Sequence, residues 1–451
     1  MLQGIHRYRW RELQLLILPC LFMLTGIVML VLVDNAPQQA NRVNLPTLDS
    51  LIPAIGVIAA LLATHILLTV FLPQADQVLF PIVALLSIFG VLMALRLGPA
   101  LATPNLGSKQ LLWLLLGLGF CLLTILFTRR GTLWIRRYKY TFAAFGILLV
   151  GISLVRVLTS HIDFNSPTHD ELNLPGGIPF QPSELLKICL VVFFAAYVAE
   201  NREILGEGGP RLGFLPVPPL KQFGPLLLML AVALVLFVGL RELGLALLIF
   251  GIFLAMLYLG SGRLLYVGWG LALFAVGAFL CYQVFGYVQD RVMVVGIDCN
   301  SQDPNVRKII LGPAFQICQG LIAIGTGGIF GSGLGLGNPT AVPAVQTDYV
   351  FAAVAEEFGL LGVMALLGLY IMLIYRGFRI ATHAKSAFNQ LLAGGLTAVF
   401  AIQTMIIVAG NLKLMPLTGI PLPFITYGGS SLIANYIIIG LLLRISATES
   451  T

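Results

Sequence analysis

Apolar runs recur along almost the entire chain, broken by short polar or charged stretches. They lie at approximately 12–33, 50–72, 78–97, 110–128, 141–158, 184–200, 223–239, 243–260, 264–286, 347–375, 389–409 and 423–444. Apolar runs of roughly 17–25 residues cross a hydrocarbon core of about 30 Å as single helices, whose internal hydrogen bonds leave no backbone group unsatisfied in lipid. The pattern predicts an all-α fold, a polytopic transmembrane protein of about twelve helices. The first run, from about Leu15 to Val33, is too long for a signal-peptide core and no small-residue cleavage pattern follows it, so it reads as a span. One loop, about 287–346, is far larger than the others and precedes the tenth helix. On this pattern residues 1–158 form an N-terminal membrane region of about five helices, and 159–451 a membrane core carrying the large loop.

Composition supports the membrane reading. The 451 residues are 58% hydrophobic and 10% charged, with a mean hydropathy of +0.96; soluble domains carry about 25% charged residues. The net charge of +7 is therefore read by its placement among loops. Membrane lipids, and not nucleic acid, are the expected surroundings. The densest cations are Arg129, Arg130, Arg136, Arg137 and Lys139, between the fourth and fifth spans. The positive-inside bias puts that loop in the cytoplasm. Arg7, Arg9 and Arg11, the 201–222 loop, and the 376–388 loop with Arg376, Arg379 and Lys385 then fall on the same side, as do both termini. The 159–181 loop has no Lys or Arg but contains Asp163, Asp170 and Glu171. It falls outside, with the large loop and the mouth of the tenth helix.

The six cysteines show no CxxC spacing. Cys20, Cys121, Cys189 and Cys281 lie in or near apolar runs and read as packing residues, whereas Cys299 and Cys318 share the large loop. A disulfide there suits an oxidising compartment, although separation alone fixes no geometry. His161, Asp163, His169 and Asp170 lack the regular spacing of a metal site and read as a solvated loop. The chain has no P-loop lysine motif and no nucleotide-binding βαβ unit, which argues against an ATP-driven pump.

Three segments carry chemistry. In Gln181-Pro182-Ser183-Glu184-Leu185-Leu186-Lys187, Pro182 and Glu184 suit a helix start, and Glu184 and Lys187 share a helix face. They form either a helix-start signal with an interfacial lysine or a paired charge facing a hydrated cavity. The second segment, Gly331-Ser332-Gly333-Leu334-Gly335-Leu336-Gly337-Asn338-Pro339, allows tight turns of a re-entrant chain, and its N–H groups are also a candidate anion cradle. Asp348 follows at the mouth of a membrane helix, as an N-cap or a functional acid, with Glu356 and Glu357 deeper in the same helix. Those two acids need water or cations. Arg241, Arg291, Arg307 and Lys308 are nearby in sequence. The third segment runs from Asn411 to Ser431 and includes Pro416, Gly419, Pro421, Pro423, Tyr427, Gly428, Gly429 and Ser430. It reads as broken backbone lining a cavity, or as an ordinary outer loop with small residues for packing.

Taken in order, several motifs resemble the SEDS family (shape, elongation, division and sporulation), whose best-known members are RodA, FtsW and SpoVE. They are Phe180-Gln181-Pro182-Ser183-Glu184 with Lys187, Gln289-Asp290-Arg291-Val292, Ala323 to Gly328, Thr347-Asp348-Tyr349-Val350-Phe351-Ala352 with Glu356-Glu357-Phe358-Gly359-Leu360, and Pro421 to Ser431. The resemblance covers roughly 180–445. The chain departs from the family pattern by two extra helices before the glutamine-proline motif, and by Arg241-Glu242-Leu243-Gly244 where Pro-Asp-Leu-Gly is common. The resemblance implies a glycosyltransferase that polymerises lipid II into β-1,4 peptidoglycan strands, working with a class B penicillin-binding protein. It makes Asp348 the candidate base. Arg291, with Lys187, is the candidate for the leaving pyrophosphate, and Glu184 orients Lys187. Glu356, Glu357, Tyr427 and Ser430 are the further cavity candidates. No nucleotide is required; a divalent cation at the pyrophosphate is compatible with this chemistry, though no ligand set identifies one. Two rival readings remain: a lipid II flippase, which needs a polar path through the bilayer, and a non-catalytic scaffold that activates the penicillin-binding partner.

Overall fold

The computed structural model describes residues 8–35, 48–103, 105–159, 170–174, 178–207, 211–212, 215–216 and 220–448. The fold is almost wholly helical. The helices are α1 (Trp10–Asn35), α2 (Leu48–Phe71), α3 (Leu79–Ala100), α4 (Leu106–Phe127), α5 (Leu133–Arg137), α6 (Lys139–Thr159), α7 (Pro182–Glu200), α8 (Arg202–Glu207) and α9 (Leu220–Gly239). They continue with α10 (Leu243–Ser261), α11 (Leu264–Val284), α12 (Gly286–Gly296), α13 (Pro304–Ile310), α14 (Phe315–Gly327), α15 (Val350–His383), α16 (Ala387–Asn411) and α17 (Gly429–Ala447). Two short antiparallel pairs, Leu172–Leu174 with Ile178–Phe180 and Arg211–Leu212 with Leu215–Pro216, are small additions to the expected helices.

Among the described residues eleven helices are long and apolar enough to cross a membrane, or twelve if α13 and α14, bent by 84°, count as one broken span. The expected 223–239 span is a shorter apolar helix, Phe223–Gly239. The helix expected from 423 begins at Gly429 instead, because the chain before it contains Pro421 and Pro423 and has Phe424 at φ 68°. Proline lacks the N–H a helix interior needs, and a positive φ is incompatible with continuing one.

The described chain divides into two compact units: Met1–Phe127, Val292–Arg376 and Ile407–Thr451 form the first, and Thr128–Arg291 with Gly377–Ile406 the second. In the first unit α3 is buried along most of its length. Helices α4 and α17 approach through small residues, with Gly117 against the Tyr436 ring and Gly440 against the Cys121 backbone. Arg9, just before α1, is fully buried. It pairs with Glu12, which also meets His65 Nδ1 at 2.7 Å, and donates to the carbonyls of Leu72, Ala75 and Asp76 at 2.7, 3.1 and 2.8 Å. The Asp76 carboxylate accepts from Val78 N and Leu79 N, at the start of α3, and pairs with Arg376.

In the second unit α7 is buried among its neighbours, with Gly146 of α6 close to Leu186 and Cys189, and Gly395 of α16 close to Val191 and Met256. Lys139 pairs with Glu200 and lies over the Tyr140 and Tyr197 rings. Helix α11 exposes nearly all its apolar side chains, as suits a helix facing lipid. In the first unit Cys299 and Cys318 form a disulfide, and the Lys413 ammonium meets the Ile297 carbonyl beside it.

Candidate active site

The start of α7 is a buried polar chain within the second unit. Pro182 sits in the first turn, where its missing N–H leaves no bond unmade, and Asp170 Oδ2 accepts from Ser183 N at 3.0 Å. Next in the chain, Glu184 forms an ion pair of 2.6 Å with Lys187, their side chains 2% and 1% exposed. Lys187 Nζ also donates to Gln403 Oε1 at 3.2 Å. The pair is thus internal to the protein, and of the two readings of Lys187 the interfacial one does not fit this burial. Burial pushes the Asp170 carboxyl up to about 6, against the hydrogen bond from Ser183, with the nearby Glu184 charge adding to the rise. The sequence pattern predicts a solvated loop acid at Asp170; the structure buries it against the start of α7.

The glycine-rich segment does cradle anions, but the anions belong to the protein. Helix α15 is interrupted at Gly359, at φ 66° and ψ −169°, and the 328–338 segment fits into the break. Leu360 N and Leu361 N donate to the carbonyls of Gly328 and Ile329 at 2.9 and 3.1 Å. Ser332 N and Gly333 N donate to the Glu356 and Glu357 carbonyls at 2.9 and 3.0 Å. The side chains complete the seam: Glu356 Oε1 accepts from Asn338 N at 2.8 Å, and Glu357 Oε2 from Gly335 N at 3.2 Å. Gly331 and Gly359 are required here. A Cβ on Gly359 would lie 2.6 Å from the Ile329 carbonyl oxygen, and one on Gly331 2.6 Å from the Phe358 carbonyl carbon.

Arg96 supplies the positive charge for this pair of acids. From α3 it donates Nε to Glu357 Oε1 and Nη2 to the Gly337 carbonyl, each at 2.9 Å. Sequence reasoning sought the cation among Arg241, Arg291, Arg307 and Lys308 and missed Arg96. The available signal was an arginine inside an apolar run, which is costly in lipid unless it is paired.

Asp348 lies in the turn before α15, half-buried, and the N-cap position itself falls to Tyr349. Asp348 N donates to the Ala344 carbonyl at 3.0 Å, and Ala344 has φ 52°. The carbonyls of Gln346, Thr347 and Asp348 each accept a bond from the third segment: from Tyr427 N at 3.1 Å, Thr426 Oγ1 at 3.3 Å and Asn411 Nδ2 at 2.9 Å. Tyr349 is fully buried, and its hydroxyl, with no hydrogen-bond partner, is pushed well up by burial and, secondarily, by the Asp348 charge.

The third segment is irregular chain between α16 and α17, buried over residues 422–426. Leu422, Pro423, Phe424, Ile425 and Thr426 are buried. Tyr370 Oη donates to the Pro423 carbonyl at 2.5 Å, and Leu422 N to Thr426 Oγ1 at 2.8 Å. Tyr427 and Ser430 are half-buried. Burial raises the Tyr427 hydroxyl, and its bond to Trp113 opposes the rise. The structure therefore brings Tyr427 to the Asp348 turn and gathers Glu356 and Glu357 at the glycine-rich seam, all in the first unit. Glu184 and Lys187 form their own cluster in the second, and Arg291 is exposed on α12, also in the second. His161, Asp163 and His169 lie outside the described residues. Among the described residues no three His, Cys, Asp or Glu side chains gather as a metal-binding group.

Comparison with known proteins adds kinship to this geometry. Residues 76–451 match a family described as cell cycle protein, FtsW/RodA/SpoVE, a span that begins after α1 and α2. A peptidoglycan glycosyltransferase RodA of Mycobacterium tuberculosis is 37% identical over 391 residues, covering 85% of this chain and 80% of the relative. Among solved structures, a chain of a peptidoglycan synthase complex that coordinates polymerization and crosslinking is similar at 25% identity, with a TM-score of 0.63 over 83% of this chain and 98% of that one. The crystal structure of Thermus thermophilus RodA shares the fold, with a TM-score of 0.55 at 23% identity over 84% of this chain and 98% of that chain.

Proposed function

The chain belongs to the FtsW/RodA/SpoVE family of cell cycle proteins, and on that premise we propose that it is a peptidoglycan glycosyltransferase acting on lipid II. It is a multi-pass protein of the cytoplasmic membrane. The loop-charge bias supports a topology with both termini in the cytoplasm and Asp348 at the outer face. The reaction joins two disaccharides. The 4-hydroxyl of one attacks the anomeric carbon of another, the anomeric carbon–oxygen bond to undecaprenyl pyrophosphate breaks, and a β-1,4 bond forms with inversion. The hydroxyl proton goes to a base, and the pyrophosphate leaves with the bonding electrons.

The observation that carries this reading is the Asp348 turn. It holds an acid outside the membrane-spanning length of α15, half-buried, on backbone bonded at three successive carbonyls. A general base needs this kind of fixed position. Asp348 takes the hydroxyl proton, and Tyr427 and Ser430 line the sugar. Glu356 and Glu357 shape the glycine-rich segment. Positive charge for the pyrophosphate is a role proposed for Arg291 and Lys187 on sequence grounds, with Glu184 orienting Lys187. A divalent cation at the pyrophosphate would come as part of the substrate's charge balance, and no described side-chain cluster is assigned to hold one.

Glu357 is held by Arg96 and Gly335 N, and Glu356 accepts from Asn338 N through one of its two oxygens; this engagement by the glycine-rich segment supports the enzyme over a flippase. A class B penicillin-binding protein is the proposed partner, since the similar synthase complex couples polymerization to crosslinking. The test is purified protein with such a partner and labelled lipid II. Glycan strands resolved by gel support the enzyme. Transfer of lipid II between leaflets of sealed vesicles with no strands formed would overturn it.

A further inference from the structure

We propose that Asn411 and Thr426 are positioning residues for Asp348, an inference that rests on the glycosyltransferase reading above. Three consecutive carbonyls, those of Gln346, Thr347 and Asp348, are bonded by Tyr427 N, Thr426 Oγ1 and Asn411 Nδ2. A turn whose carbonyls were free would have several ways to rotate its peptide planes, and each rotation would carry the Asp348 carboxylate with it. These three bonds remove that freedom.

Asn411 is fully buried at the end of α16, and its amide bridges two carbonyls, Asp348 O at 2.9 Å and Ile407 O at 3.0 Å. Its own oxygen has no hydrogen-bond partner. The side chain therefore works as a donor that ties the turn to the last turn of a helix. A residue present only for packing would not need two donors, and leaving its acceptor buried and idle carries a cost. Thr426, buried, acts as a relay: its hydroxyl accepts from Leu422 N at 2.8 Å and donates to Thr347 O at 3.3 Å. The irregular 412–428 chain is in turn braced by the Tyr370 hydroxyl on Pro423 O, so the anchor is itself fixed. The Pro-Leu-Pro-Phe-Ile-Thr-Tyr motif thus reaches the two residues before Asp348, through Tyr427 N and the Thr426 hydroxyl, while Asn411 reaches Asp348 itself.

The test uses the full-length protein with its penicillin-binding partner and labelled lipid II, reading kcat, KM and direct lipid II affinity. Thr426→Val keeps the shape and loses the hydroxyl; Thr426→Ser keeps the hydroxyl. Asn411→Leu removes both donors. Misplacing a catalytic group by about 1 Å costs on the order of a hundredfold in rate. We therefore expect kcat to fall by about tenfold to a hundredfold in Thr426→Val and Asn411→Leu. Lipid II affinity stays within about twofold of wild type, and Thr426→Ser keeps most of the rate. Three results overturn the inference: kcat unchanged in both hydrogen-bond-deleting variants, affinity lost in parallel with kcat, or Thr426→Ser as impaired as Thr426→Val. Asp348→Asn in the same assay separates the two levels. If the wild type makes strands and Asp348→Asn makes them equally well, the catalytic reading itself fails. If only Asp348→Asn is inactive, the reading stands and the positioning roles fall.

Discussion

Removing Arg96 should loosen the glycine-rich segment. The guanidinium bonds Glu357 Oε1 and the Gly337 carbonyl at 2.9 Å each, and the Glu357 side chain is 0% exposed. In Arg96→Met the carboxylate keeps one bond, from Gly335 N at 3.2 Å, and has no cation. Breaking one side of a buried ion pair costs about 3–5 kcal/mol, chiefly because the remaining charge is left buried. The cost falls locally if the segment lifts away and lets Glu357 hydrate. The amides to watch are Ser332, Gly333, Gly335, Asn338, Leu360 and Leu361, whose acceptors all lie across the seam. At about 1.4 kcal/mol per tenfold, a loss of about 3 kcal/mol speeds their hydrogen exchange by roughly a hundredfold. Replacing both partners, Arg96→Met with Glu357→Met, removes the orphaned charge and should recover much of the protection. Unchanged exchange in Arg96→Met, or a double variant more exposed than the single one, would refute the assignment of Arg96 as the seam's counter-ion.

Three further outcomes follow from the same reasoning. Glu184→Ala leaves the Lys187 ammonium buried with Gln403 as its remaining described partner, and strand yield should drop by at least about tenfold, with a cost of about 3–5 kcal/mol in stability; normal strand length and yield would count against the pair. Burial raises Asp170 to about 6 from 3.8, so the folded state holds its proton more tightly than the unfolded chain. This group's contribution to stability is then fully present below about pH 4 and lost as the pH rises through about 6, and a thermal midpoint followed against pH should decline less in Asp170→Asn. Reducing Cys299–Cys318, which lie 19 residues apart, releases a loop constraint worth about 3 kcal/mol, so trypsin should cut faster at the exposed Arg307 and Lys308; equal cleavage rates would show that α13 is held without the bridge.

Much of this architecture is written in periodicity and length. Apolar runs mark helices plainly because lipid demands them, and the boundary at Gly429 was missed only where Pro421, Pro423 and Phe424 extend the irregular chain. A buried pair is legible where a charge stands in an apolar context with a partner at helical spacing, as with Glu184 and Lys187. Arg96 and Glu357 are separated by 261 positions, and no local pattern encodes such a pairing. The glycine-rich segment was recognised as a candidate anion cradle, but which anion fills it depends on the break in α15 at Gly359, a tertiary event. Asn411 and Thr426 carry no charge and resemble ordinary polar residues at the end of a helix and in a loop. The role proposed for them rests on the carbonyls they meet, and backbone carbonyls leave no trace in sequence.

The central claim is that Asp348 accepts the proton of the attacking sugar hydroxyl. The most direct measurement compares wild type with Asp348→Ala and Asp348→Asn, each purified with a class B penicillin-binding partner, for glycan strands made from labelled lipid II. A general base contributes about 10²–10⁴-fold, so both variants should lose at least a hundredfold in strand synthesis while still binding lipid II. Strands that persist at the wild-type rate in either variant would contradict the account.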